Sequence, residues 1–177
     1  MLQGLVKLTG LLLSLGLLLQ PQPALARRIP IPFFDGDLST LEEEAEPLLR
    51  LEIRLRDRRV SLYQGETVVK TYPIAVGRPG WETPTGNFKV LQKIKNPTWV
   101  HPLKKSIEIP GGDPENPLGR HWIGFWSDGK NWIGFHGTPN PRSVGTAASH
   151  GCIRMYNKDI EELFQQVNVG TPVIVLP

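Results

Sequence analysis

The chain has 177 residues, 40% hydrophobic and 21% charged, a globular composition whose length suits one domain with a short appendage. Its formal net charge of +3 is too mild to argue for nucleic acid and allows at most a weak attraction to an anionic envelope polymer. A single cysteine rules out an internal disulfide framework and leaves an intermolecular link, a small buried hydrophobe or a free reactive thiol.

The first element is a charged, apolar and small-residue series: Lys7, the run Leu8 to Leu19, then Ala24-Leu25-Ala26. That layout predicts a secretory signal peptide over residues 1–26, and the apolar run is well short of the ~20 residues that span a bilayer. No cysteine adjoins the expected cleavage point, so the expectation is an exported protein of periplasm or cell wall without a lipid anchor. Residues 27–50 read as a linker, rich in proline and turn residues and then acidic through Glu42-Glu43-Glu44-Ala45-Glu46, with at most one short helix.

From Leu51 apolar and charged residues alternate, with Leu51, Ile53 and Leu55 against Glu52, Arg54 and Arg56, the signature of a half-buried strand. Further strands are expected at 60–63, at 67–76 with Pro73 interrupting, at 88–94, at 122–126 and at 132–136. The Pro/Gly-rich stretch 109–119 predicts a long loop able to shape a groove. Near the end Ile160, Leu163, Phe164 and Val167 share a helical face behind Asn157 as expected N-cap, giving a helix at about 157–167, and 173–176 closes as a strand. The expected fold class is mainly β, a sandwich or closed sheet with one packed helix, over a domain at 51–177.

The chemistry concentrates near the cysteine. The strand Trp132-Ile133-Gly134-Phe135-His136 is followed sixteen positions later by Cys152 within Ser149-His150-Gly151-Cys152-Ile153-Arg154. A thiol is mostly protonated at neutral pH, so a cysteine nucleophile needs a histidine that takes its proton or holds the thiolate as an ion pair. His136, at a strand end, is free to reach a neighbouring turn, whereas His150 is constrained by its closeness to the cysteine. Gly151 permits a tight turn and close approach of a carbonyl to backbone N–H groups, as an oxyanion hole requires.

This pattern resembles the L,D-transpeptidase catalytic domain, also called YkuD-like, and the resemblance extends to Val76-Gly77, Thr83-Pro84-Thr85-Gly86-Asn87-Phe88, Asn116-Pro117-Leu118-Gly119 and Ile133-Gly134-Phe135-His136-Gly137-Thr138. It implies a cysteine acyl-transfer site acting on peptidoglycan stem peptides, with an envelope protein as a further conceivable acceptor and no cofactor or metal. It also implies that His136 partners Cys152, that the Gly137 carbonyl orients the imidazole, and that Gly151 and Cys152 N–H groups hold the oxyanion. His150 then shapes the pocket, Arg154 either meets a stem carboxylate or ties down the loop, and Ser149 hydrogen-bonds the turn. Most of the tryptophans are expected in the core, with Trp99 the best candidate to line the groove. Competing readings are hydrolysis in place of transfer, a zinc site built from His136, His150 and Cys152, and a module that only binds cell wall.

Overall fold

The period-two pattern folds as it reads: in β1 (Leu49–Arg54) and β2 (Arg59–Gln64) the side chains of Leu51, Ile53, Val60 and Leu62 are all buried, because successive side chains of a strand point to opposite faces. The computed structural model describes residues 48–101, 104 and 106–177; the expected signal peptide and residues 27–47 of the expected linker lie outside the described residues. β3 (Thr67–Pro73) pairs antiparallel with β2 and ends at the proline, as expected. The chain then resumes as the short β4 (Val76–Gly77).

Residues 88–94 form two strands where the sequence suggests one. β5 (Gly86–Lys89) and β6 (Gln92–Lys95) belong to different sheets, and the chain crosses between them at Val90, which is 1% exposed. Backbone bonds fix that corner from both sides: Val90 N–H donates to Thr171 O and Leu91 N–H to Gly124 O, each at 2.8 Å. Val90 and Leu91 at the corner are both apolar, so residue type alone does not mark a turn there.

The 109–119 loop is entered from a small hairpin of β7 (Trp99–Val100) and β8 (Glu108–Ile109). Asn116, fully buried, organises it: Nδ2 donates to the carbonyls of Pro97, Ile109 and Pro110, and Oδ1 accepts from Leu118 N–H. Then come β9 (His121–Ser127), β10 (Trp132–His136), β11 (Ala147–Ser149), β12 (Ile153–Arg154), helix α1 (Asn157–Gln166) and β13 (Pro172–Leu176).

The strands make a five-stranded sheet, β3-β2-β1-β13-β5, and a four-stranded sheet, β12-β10-β9-β6, with β11-β4 and β7-β8 as small accessory pairs. One apolar core joins them: Leu51, Ile53, Val173 and Val175 from the first sheet, Ile123, Phe125, Phe135 and Ile153 from the second, and Ile160 and Leu163 from α1. Each such side chain contributes roughly 1.5–3 kcal/mol by leaving water. The sheets do not close: β3 and β5 edge one, β12 and β6 the other, and a lone bridge between Ala75 and Arg154 extends β12. The sandwich alternative is therefore correct and the closed sheet is not.

The helix corrects a capping expectation. Tyr156 occupies the N-cap position without a side-chain cap bond, and Asn157 is the first helical residue. The Asn157 amide is committed elsewhere, its Oδ1 accepting from Thr138 N–H at 2.9 Å.

Candidate active site

Two strand ends build the site. β10 runs parallel to β12, with Phe135 opposite Ile153 and His136 opposite Arg154. Phe135 and Ile153 are buried in the core, so Gly134, His136 and Arg154 take the opposite face, while Cys152, partly buried, packs against the rim of the core. Cys152 stands one residue before β12, beside Gly134. That glycine is required, since a Cβ there would lie 2.5 Å from Ile123 O and 2.8 Å from the Trp122 ring. The same indole stacks on His136, with ring centroids 6.1 Å apart at 23°.

The imidazole is 5% exposed, and its Nδ1 lies 2.6 Å from Gly137 O. A carbonyl only accepts, so Nδ1 carries the hydrogen and Nε2 is the basic nitrogen. The Gly137 carbonyl is thus the acceptor on the Nδ1 side of the ring. Burial pushes the His136 pKa down to about 4, with the carbonyls of Gly137 and Pro117 pulling upward and the charge of Arg154 pressing downward. The thiol of Cys152, partly buried, donates to Trp132 O at 3.6 Å. Burial raises its pKa, while the Gly134 backbone and Arg154 oppose the rise. Burial thus acts against the charged form of each group, pushing the thiol up and the imidazole down.

The turn before the cysteine is knotted by Ser149, 1% exposed. Its hydroxyl donates to Cys152 O at 2.5 Å and accepts from Gly151 N–H at 3.1 Å. Gly151 was expected to offer that N–H to an oxyanion; Ser149 engages it instead, because the turn folds the hydroxyl back over it. Gly151 itself has φ +107°, and a Cβ on it would sit 2.8 Å from Ile133 Cδ1, so glycine is needed there for conformation and for space.

His150 Nε2 faces Arg78, 2.8 Å from its Nη2, and its ring meets Trp81 edge-on at 4.8 Å. Trp99 makes its ring contact with His101 on the β7–β8 hairpin; the indoles in ring contact with the site's histidines are Trp81 and Trp122. Among the described residues no three His, Cys, Asp or Glu side chains are grouped to hold a metal ion, so the geometry does not assemble His136, His150 and Cys152 as ligands.

Sequence reasoning missed three residues that hold the site. Thr83, 4% exposed, donates to Gly151 O at 2.8 Å and accepts from Gly77 N–H at 3.2 Å. Asn157 fixes the turn after His136, and Gly119 is pressed so close that a Cβ on it would lie 2.9 Å from Asn157 Oδ1. Arg78 pins its own backbone to Ser149 O at 3.1 Å. Only Thr83 lay within a quoted motif. Two hollows flank the site, one of about 210 Å3 behind the turn at Gly119 and Asn157, the other of about 260 Å3 at Gly77, Thr83 and Ala147; neither is lined by Cys152 or His136.

Comparison with known proteins now bears on this arrangement. The model of the YkuD family, the L,D-transpeptidase catalytic domain, matches residues 49–175. The protein YqjB of Bacillus subtilis (strain 168), assigned by name to the L,D-transpeptidases, is 40% identical over 125 residues, which are 70% of this chain and 68% of that protein. The chain spans about two thirds of the length of the Bacillus relatives that it matches. Among solved structures, an L,D-transpeptidase from Mycobacterium tuberculosis H37Rv superposes with a TM-score of 0.59 at 21% identity, covering 74% of this chain and 58% of that one. The catalytic domain of the Enterococcus faecium L,D-transpeptidase gives 0.57 at 23% identity, covering 75% of this chain and 99% of the other, and these two likenesses speak for the fold. With a family model spanning both sheets and the whole cysteine segment, this chain belongs to the L,D-transpeptidase catalytic-domain family.

Proposed function

We propose that this protein is an exported peptidoglycan L,D-transpeptidase in which Cys152 is the nucleophile and His136 its base. The observation that carries the reading is the tautomer of His136: Nδ1–H is held by Gly137 O, which leaves Nε2 as the basic nitrogen, and His136 stands opposite Arg154, two residues from Cys152. Burial keeps that nitrogen unprotonated at neutral pH. The donor is a tetrapeptide stem. Rotation of the thiol away from Trp132 O brings its proton to the imidazole as Sγ bonds to the carbonyl carbon of the third residue. The bond from that carbon to the terminal D-alanine nitrogen breaks, and the proton on His136 passes to the departing amine. The Cys152 N–H is the backbone donor for the oxyanion, since the Gly151 N–H is held by Ser149.

The resulting thioester is opened by the side-chain amine of a second stem, which forms a 3→3 amide, while its proton returns through His136 to the thiolate. Water or a lysine of an envelope protein would take the same place in a carboxypeptidase or an attachment reaction. The protein acts outside the cytoplasmic membrane, and the mechanism asks for no cofactor.

The test is incubation of the full chain with a disaccharide-tetrapeptide, followed by mass analysis of protein and products. A thioester adduct on Cys152, released D-alanine and a cross-linked dimer are expected, with all three lost in Cys152→Ala at unchanged folding. Activity that survives in Cys152→Ala would overturn the mechanism.

A further inference from the structure

The loop after β4 carries side chains for which the mechanism above has no use. Arg78 is exposed, and its guanidinium lies 2.8 Å from His150 Nε2. A guanidinium only donates, so Nε2 accepts and His150 is neutral. Trp81, three residues on and half exposed, closes edge-on against the same imidazole. Arg78 is thereby held through its backbone at Ser149 and through its side chain at His150.

Arg154 stands opposite His136 in the β10–β12 pair, two residues after Cys152. Its backbone is locked on both sides to Ala75, with N–H to O distances of 2.8 and 3.0 Å. Its side chain is half buried, yet no ion pair and no side-chain hydrogen bond holds the guanidinium among the described residues. The loop-tying role weighed for it therefore has no bond behind it. Burial pushes the Arg154 pKa down, with the Cys152 thiol opposing that shift and the charge of Arg78 adding to it. Glu82, the acid of this loop, is turned onto Gly80 N–H at 2.8 Å. Two cations thus flank the cysteine turn, Arg78 against His150 and Arg154 two residues beyond Cys152, and among the described residues neither makes an ion pair.

We propose that Arg78 and Arg154 form a two-guanidinium clamp for the free C-terminal carboxylate of the amino acid that leaves, with His150 and Trp81 holding Arg78 in position. The inference rests on the acyl-transfer reading and deepens it. In a donor that ends one residue beyond the scissile bond, the terminal carboxylate carbon is no more than about 4 Å from the carbonyl under attack. A carboxylate so close to Sγ falls where the charge of Arg154 already acts, and planar guanidinium forks suit it. A longer or amidated donor brings no charge to that point, so the clamp selects donors by where they end, and Arg78 is a specificity-determining residue.

Two tetrapeptide donors, identical except for a C-terminal carboxylate or carboxamide, test this through the rate of Cys152 acylation followed by intact mass. The readout is the ratio of the two rates. The wild type is expected to favour the carboxylate at least tenfold. Arg78→Gln keeps a donor for His150 Nε2 but not the charge, and should lower the ratio about tenfold; Arg78→Lys should restore part of it. A ratio unchanged in Arg78→Gln, or a wild type indifferent to the cap, overturns the clamp while acyl transfer stands. Failure of both donors to acylate the wild-type thiol overturns the functional reading and the clamp with it.

Discussion

Burial acts on Cys152 and His136 in one chemical sense, raising the thiol pKa and lowering the imidazole pKa to about 4, so each is discharged at rest. Alkylation of Cys152 by iodoacetamide should therefore still be accelerating above pH 8.5, the ordinary thiol range; a flat profile from pH 5 to 8 would mean a standing ion pair. The acid limb of kcat/KM, which reports the free enzyme, should fall near pH 4 rather than near the usual histidine value of about 6.5. Stability follows the same group. The unfolded chain binds a proton on this histidine below about pH 6.5 and the folded one only below about 4, so stability is full above 6.5 and declines as pH falls to 4. The loss is about 3 kcal/mol, measurable by urea unfolding at both pH values and absent in a folded His136→Gln variant. Cys152 and His136 were legible in the sequence because their spacing sits inside one contiguous motif. Arg78 and Thr83 were not, because each reaches the cysteine turn only through the parallel pairing of β4 with β11, across some seventy positions of chain.

Among the elements, α1 buries Ile160 and Leu163 against the second sheet and at its first residue holds the turn after His136. Two substitutions separate those tasks. Leu163→Ala should cost about 3 kcal/mol in denaturant unfolding, because it leaves a cavity in a fully buried position. Asn157→Ala leaves the core intact and frees Thr138 N–H, so it should slow Cys152 acylation severalfold with little change in Tm; an unaltered rate would show that the turn holds itself. The helix was readable from its spacing, but the use of Asn157 was not, since the same residue type caps a helix or ties a distant loop according to what packs beside it. The 88–94 strand was misread for a related reason. Val90 and Leu91 carry no turn signal, and only their backbone bonds, to Thr171 and Gly124, show where one sheet ends and the other begins.

On the scale of the molecule, sandwich architecture was legible from short alternating segments, whereas sheet order was not, because alternation shows which side is buried and says nothing of the neighbour. The order that matters most puts β13 inside the five-stranded sheet, parallel to β1 and antiparallel to β5. Removal of residues 172–177 should leave protein without a cooperative unfolding transition, whereas loss of an edge strand is the milder lesion. A cooperative transition in the truncated chain would show that β1 and β5 find another partner. The central place of β13 also has a consequence in time. A chain that emerges N-terminus first, from a ribosome or through a pore, displays β1 and β5 with nothing between them until residues 172–176 arrive. The sheet against which β10 and β12 pack is therefore completed only when residues 172–176 arrive, after the segment that bears the thiol has already been delivered.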